Sequence, residues 1–434
     1  DTQSGYFVED YTYRYLLNPA MDNSRGFIAV PAIGNFGFNL RGNLSLTDVL
    51  YNVDGRTTTF MNPGVSVSEA MGNISDNNRI GVDTRINLLA IGFKALKGYN
   101  TITVGARASV HANIPRSVFS FLKEGITNKD YDLSGMGATG AAFAEIALGH
   151  SHSITDEWRV GANVKFLVGI AGMDLDLTSA HLSLQENSWN VITNARLHTS
   201  VKGMRYEMDR NSHTGLDYVT GLDGGFEAPN GFGMGLDLGA VYSPKALPDW
   251  QFSLSVCDLG FINWQNDLLA STNGDKTFQT EAFTFNPDDT APNSFDNEWK
   301  AMRKQLESVY QLESDGNIGN RMQSLNATFH AGASYTLPYR PLKIGLLNTT
   351  RLAGKYTWTD FRLSANVAPC KVFSAGINAS MGNLGCGFGL IANLHVPGFS
   401  LYVAQDHTFS KTAKQGVPLG SNASLSLGMN VLIK

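Results

Sequence analysis

The 434-residue chain contains no stretch of the kind a membrane helix needs. Its longest apolar runs, such as INLLAIGF and KFLVGIAGM, are about half of the ~18 residues required. Helical spans are therefore excluded. A membrane β-barrel is not, because strands that alternate average to neutral hydropathy, and mean hydropathy here is -0.12. Charge is scarce at 16% of residues, below the usual share. With a net charge of -5 and no basic block, nucleic acid is excluded as a partner. Cysteine is nearly absent. Cys257, Cys370 and Cys386 fit no zinc spacing and cannot all pair, so they read as small buried or lipid-facing residues. There is no G-x-S-x-G, no H-E-x-x-H and no P-loop. The chain is expected not to be an enzyme and to need no cofactor. It shows no signal peptide and starts at Asp1, as a processed exported protein would.

What is present is alternation. In NASLSLGMNVLIK, Leu425, Leu427, Met429, Val431 and Ile433 alternate with Ser424, Ser426, Gly428 and Asn430. In KVFSAGINASM, Phe373, Ala375, Ile377, Ala379 and Met381 oppose Ser374, Gly376, Asn378 and Ser380. TITVGARASVHANI and SLNATFHAGASYTL behave alike. Side chains flip faces at each strand residue, so each segment has an apolar wall and a polar wall. Three features separate this from a soluble sandwich. The strands are about 10–14 residues long, as a tilted bilayer crossing requires. Their polar faces carry Ser, Asn, Gly and Thr rather than Lys and Glu. Aromatics gather near strand ends at Trp158, Tyr242, Trp250, Trp264, Tyr335, Tyr339, Tyr356 and Trp358, as in interfacial girdles.

The connections alternate in length. Short ones fall at LKGYN, ITDE, SPKALPD, PYRP, PCK and PG, and long ones near 44–81, 114–137, 173–230, 263–323 and 409–421. This parity suits an antiparallel membrane barrel of about fourteen strands, with its short turns in the periplasm and its long loops outside. Helices are expected in the loops. SVSE, Ser66 to Glu69, is a capping box, and PRSVFSFLKEG is a second candidate. In NSFDNEWKAMRKQLESVYQLES, Trp299, Met302, Leu306 and Val309 form one stripe after a candidate cap at Asp296, which makes them candidates for docking a partner.

Candidate chemistry is sparse, and each signal has a plain structural reading. HSH puts His150 and His152 on one face of a strand end; they could hold a metal, but no third ligand is evident, and a structural or interfacial role is expected. Asp174 and Asp176 in MDLDL could contribute to a calcium site, and a solvated loop face is the expectation. His111 and His330 read as lumen histidines in hydrogen-bond networks. No metal site is therefore assigned. NGFGMGLDLGAVY is no phosphate loop, because Phe232, Met234, Leu236, Leu238 and Ala240 keep strand period. Gly231, Gly233, Gly235 and Gly239 then lie inward, where something bulky can approach the wall.

Ahead of the strands stands YRYLLNPAM, residues 13–21. Asn18-Pro19-Ala20 resembles the NPA element of the FadL family of outer-membrane long-chain fatty acid transporters. GFGMGLDLGAVYSP followed by WQFSLSVCDLGFINW is similar to the paired middle strands of FadL-like proteins and of PorV, a type IX secretion component. YRYLLNPAM, GFIAVPAIGNFGFNLRGN and NNRIGVDTRINLLAIGFKAL resemble an uncharacterised Bacteroidota branch of that group. The resemblance implies an all-β fold, a transmembrane antiparallel β-barrel in an outer membrane with an N-terminal plug over 1–32 and the barrel over 33–434. Tyr15, Leu16, Leu17, Asn18, Pro19 and Ala20 would belong to the plug. The implied function is a conduit for a small hydrophobic compound, with membrane lipid as a second partner. The alternative is a PorV-like subunit of a secretion, assembly or uptake complex that binds other outer-membrane or surface proteins.

Overall fold

The computed structural model describes all residues except 1, 32, 125–128, 186–187, 213–214, 282–310, 339–341, 408–421 and 434. The alternating segments pair, each with its neighbour in sequence, into one closed antiparallel barrel of 14 strands. The first, β1, is in two pieces, Gly26–Ala29 and Asn35–Gly42. Then follow β2 (Asn77–Ala95), β3 (Gly98–Pro115), β4 (Gly137–Ser153), β5 (Trp158–Gln185), β6 (Gly231–Tyr242) and β7 (Trp250–Ser271). The second half comprises β8 (Thr328–Thr336), β9 (Leu342–Arg351), β10 (Trp358–Cys370), β11 (Phe373–Gly382), β12 (Gly385–Val396), β13 (Phe399–Gln405) and β14 (Ala423–Ile433). Both pieces of β1 pair with β14 and close the cylinder. The wall takes up the chain at Gly26, earlier than the expected 33.

The two faces separate as the alternation requires. Ile377, Met381 and Phe388 are exposed on the outside, while Ser374, Asn378 and Ser380 are buried in the lumen. A girdle stands outside at the end that carries the short turns, here called the near end. Trp158 stacks on Tyr242 at 4.5 Å and Trp250 meets Tyr335 at 5.2 Å. Three expected girdle members turn inward instead. Trp264, Tyr356 and Trp358 are buried. For Trp264 the cause is a bulge: Asp258 has φ 61° where the β6–β7 register shifts, so the inward positions change parity. Trp358 is simply in phase with the lumen residues Asp360 and Arg362. Tyr339 lies outside the described residues.

The barrel is lopsided. β5 runs 28 residues and β7 runs 22, against 9 for β8 and 7 for β13. A bilayer needs only about 9–11 per strand, so β5 and β7 project well past the far end. The described parts of segments 173–230 and 263–323 are thus largely sheet. Strand Ser188–Ser200 pairs with the upper parts of β5 and β7 where β6 has ended, and Glu313–Ser324 pairs with β7 beyond β8. Two expected helices form, Val67–Met71 and Arg116–Glu124. The Ser66 hydroxyl accepts from the Glu69 amide at 3.2 Å. They pack together through Phe60, Met71 and Phe119. Trp299, Met302, Leu306 and Val309 lie outside the described residues.

Candidate functional site

Residues 2–25 fill the near half of the lumen. Tyr6, Tyr11, Tyr13, Tyr15, Leu16, Leu17, Asn18 and Ala20 are all buried. Their fit to the wall depends on missing side chains. Gly161 of β5 and Gly239 of β6 stand directly opposite each other in register. A Cβ on Gly239 would lie 2.0 Å from Asn18 Oδ1, and one on Gly161 would lie 2.2 Å from the Pro19 carbonyl oxygen. The cross-strand glycine pair is therefore a dent that seats the Asn-Pro turn. Asn18 closes the turn itself, accepting from the Ala20 amide at 3.0 Å, and its Nδ2 donates to the Leu254 carbonyl at 3.3 Å. Gly231, Gly233 and Gly235 share the inward face of β6 but meet other groups. The first two lie against the β7 backbone, and Gly235 lies beside Lys165 and Leu325.

The rest of the plug is held by aromatic packing and by polar clasps. Tyr11 packs edge-on to Tyr402 at 4.8 Å, and Tyr13 does so to Phe27 at 5.8 Å. Tyr13 donates to Asn430 at 2.5 Å, and Tyr15 shares a hydrogen bond with Thr103 at 2.9 Å. The first residues end at Asp406, whose carboxylate accepts from the Thr2 hydroxyl at 2.8 Å, the Gln3 amide at 2.9 Å and the Ser4 amide and hydroxyl at 2.7 Å. Sequence reasoning missed Asp406, since nothing local to it marks a partner some four hundred residues away.

This aromatic layer covers an interruption in the wall. The first piece of β1 stops at Ala29 and the second starts at Asn35. The break stays tied to β14, with Val30 donating to Met429 at 3.1 Å and Met429 donating to Ile33 at 3.0 Å. On the β2 side pairing stops at Ile28↔Ile91 and resumes at Asn35↔Asn87. Pro31 suits such a gap because it has no amide to leave unpaired. Asn87 beside it is fully buried, and neither of its amide atoms has a hydrogen-bond partner among the described residues.

Above the plug lies a cavity of about 690 Å³. Its floor is the plug at Leu16 and Leu17, and its walls include Phe38, Phe143, Ile262, Leu325 and Trp358. The charged part of the lining is internally paired. Lys165 bridges Asp237 at 2.8 Å and Asp258 at 2.7 Å. Arg107 holds both oxygens of Asp258 at 2.7 Å and reaches Glu145 at 3.4 Å, which also meets Arg85 at 3.4 Å. Arg351 pairs with Asp83 at 3.0 Å, and His111 reaches the same carboxylate while stacked on Tyr356 at 4.3 Å. Buried charges survive only when paired in this way. His330 bonds Thr349 at 3.1 Å. Asp174 and Asp176 also line the cavity, facing Arg321 and Lys355. Cys257 sits at the plug boundary, its thiol donating to the Leu17 carbonyl at 3.3 Å, and Cys370 and Cys386 are exposed. Among the described residues, no group of three or more His, Cys, Asp or Glu is placed to hold a metal ion.

The family model for DUF5723, a family of unknown function, matches residues 19–406, nearly all of the barrel and the plug turn. The chain belongs to that family. No curated protein matches its sequence. Among solved structures it is similar to the Ralstonia pickettii toluene transporter TbuX, at 8% identity and TM-score 0.43, over 98% of this chain and 95% of that one. It is also similar to a Pseudomonas aeruginosa FadL homologue, at 9% identity and TM-score 0.38, over 95% and 91%. The third is the P. putida toluene transporter TodX, at 8% identity and TM-score 0.37, over 96% and 91%.

Proposed function

We propose that this DUF5723 member is an outer-membrane conduit for a small hydrophobic compound bearing a polar head, and that its N-terminal segment is the closure. The orientation follows from the loops, with the short turns in the periplasm and the projecting sheet outside. The observation that carries the reading is the cavity. It has the volume of a small-molecule site, it holds apolar walls beside paired charges, and its floor is the N-terminal segment rather than the wall. A compound resting there touches Leu16 and Leu17 directly. Displacing them opens a path past the tyrosine layer toward the interruption at Val30–Gly34. The route on this reading is a charged vestibule above a stoppered lumen. No bond is made or broken, and the passage is one of partition and plug movement.

The rival reading, a protein-interaction subunit, draws on the projecting sheet. Its hairpin of Lys202–Arg210 and Asp217–Glu227 exposes Met208, Leu222 and Phe226. Native mass spectrometry of the gently extracted barrel separates the two. A conduit retains a small amphipath that Leu16→Trp expels. A stoichiometric protein partner with nothing in the lumen would overturn the conduit.

A further inference from the structure

His150 and His152 lie outside the lumen, on the near-end rim of β4. They alternate with the inward Gly149 and Ser151, and both are half-exposed beside the aromatic girdle. Their geometry is more than a chance encounter. Asn100 on β3 donates its Nδ2 to the Ala95 carbonyl at 2.9 Å, which fixes the amide so that Oδ1 faces His150. His150 Nδ1 lies 2.9 Å from that oxygen and must therefore carry the proton it donates. The tautomer is set, and the His150 Nε2 lone pair accepts a hydrogen bond from His152 Nδ1–H. It points at His152 Nδ1, 3.2 Å away. Glycine at position 98 leaves room for the pair, since a Cβ there would lie 2.8 Å from His150 Cε1.

We propose that this pair is a two-point chelate for a divalent ion of the copper–zinc end of the first transition row. Such ions favour imidazole. Bonds of about 2.0–2.1 Å to both nitrogens would span the observed separation at an angle of about 100°, between the square and tetrahedral values. Binding requires the proton on His152 Nδ1 to move to Nε2, a tautomer change with no net loss. The Ala95–Asn100–His150 chain supplies the outer hydrogen bond that metal-bound imidazoles use to hold their orientation. Water completes the coordination, because the ring face is open to solvent.

The test is Cu2+ titration of the full-length barrel in detergent, without a histidine tag, read by electron paramagnetic resonance. One Cu2+ per chain with coupling to two imidazole nitrogens is expected. His150→Ala and His152→Ala should each abolish that signal, while His181→Ala, an exposed histidine elsewhere, should leave it intact. Asn100→Leu keeps both imidazoles and should weaken binding about 10–100-fold, which keeps the test decisive if a histidine variant does not fold. A signal unchanged in the double histidine variant, or unmoved by Asn100→Leu, would overturn the proposal.

Discussion

The two halves of the lumen are filled by opposite means. The near half is occupied by the N-terminal segment, whose tyrosines and leucines pack against the wall and whose Asn-Pro turn fits a dent in it. Above that segment the wall carries ion pairs around an open volume. The near half is held by packing and hydrogen bonds and the far half by charge compensation. A lumen filled by one chain segment can be vacated as a unit. A lumen lined by interlocked charges cannot collapse when the plug moves, because each charge keeps its wall partner. On the proposed reading, the near half is the moving part and the far half the fixed scaffold.

The largest effect should come from the scaffold. Lys165→Met leaves Asp237 and Asp258 buried without their shared cation and should cost about 3–5 kcal/mol, read as a lowered urea midpoint of the refoldable barrel. If Lys165→Met unfolds like the parent, the far half is not held by charge. Filling the glycine dent comes next. Gly239→Leu drives a side chain into Asn18 and should cost about 1–3 kcal/mol. It should also raise single-channel conductance, because the plug no longer seats. A closed barrel in that variant would mean the dent is incidental.

Asn18→Ala removes the turn-closing acceptor and its Nδ2 bonds, a loss of about 1–2 kcal/mol. It should show first as faster proteolysis of the N-terminal segment, with the barrel midpoint held. The smallest effect belongs outside the lumen. Ser66→Ala should weaken the cap on Val67–Met71 by about 1 kcal/mol, visible only in hydrogen exchange of that loop.

Much of the barrel was legible in the sequence because alternation and connection parity are local signals. Ser424, Ser426 and Asn430 face the lumen as their spacing requires. The Ser66 cap was likewise readable from four residues. What escaped depends on distant partners. The inward turn of Trp264 follows from one backbone angle at Asp258, which no propensity announces. The 173–230 region was expected as loop, yet β5 runs on to Gln185 because Ser188–Ser200 supplies a partner beyond β6. For the site, NPA and the β6 glycines were each visible. That Asn18 rests on Gly239 was not, since Gly161 completes the dent from another strand.

Cys257 offers the most direct measurement of whether the plug moves. Its thiol is buried beneath the Leu16 and Leu17 carbonyls. With Cys370 and Cys386 replaced by serine, the rate of its modification by a water-soluble maleimide reports exposure of that boundary. The rate should be slow in the resting barrel, rise when a transported amphipath is added, and be fast without any ligand in Gly239→Leu. A compound that crosses the barrel while Cys257 stays unreactive throughout would contradict the plug as the moving closure.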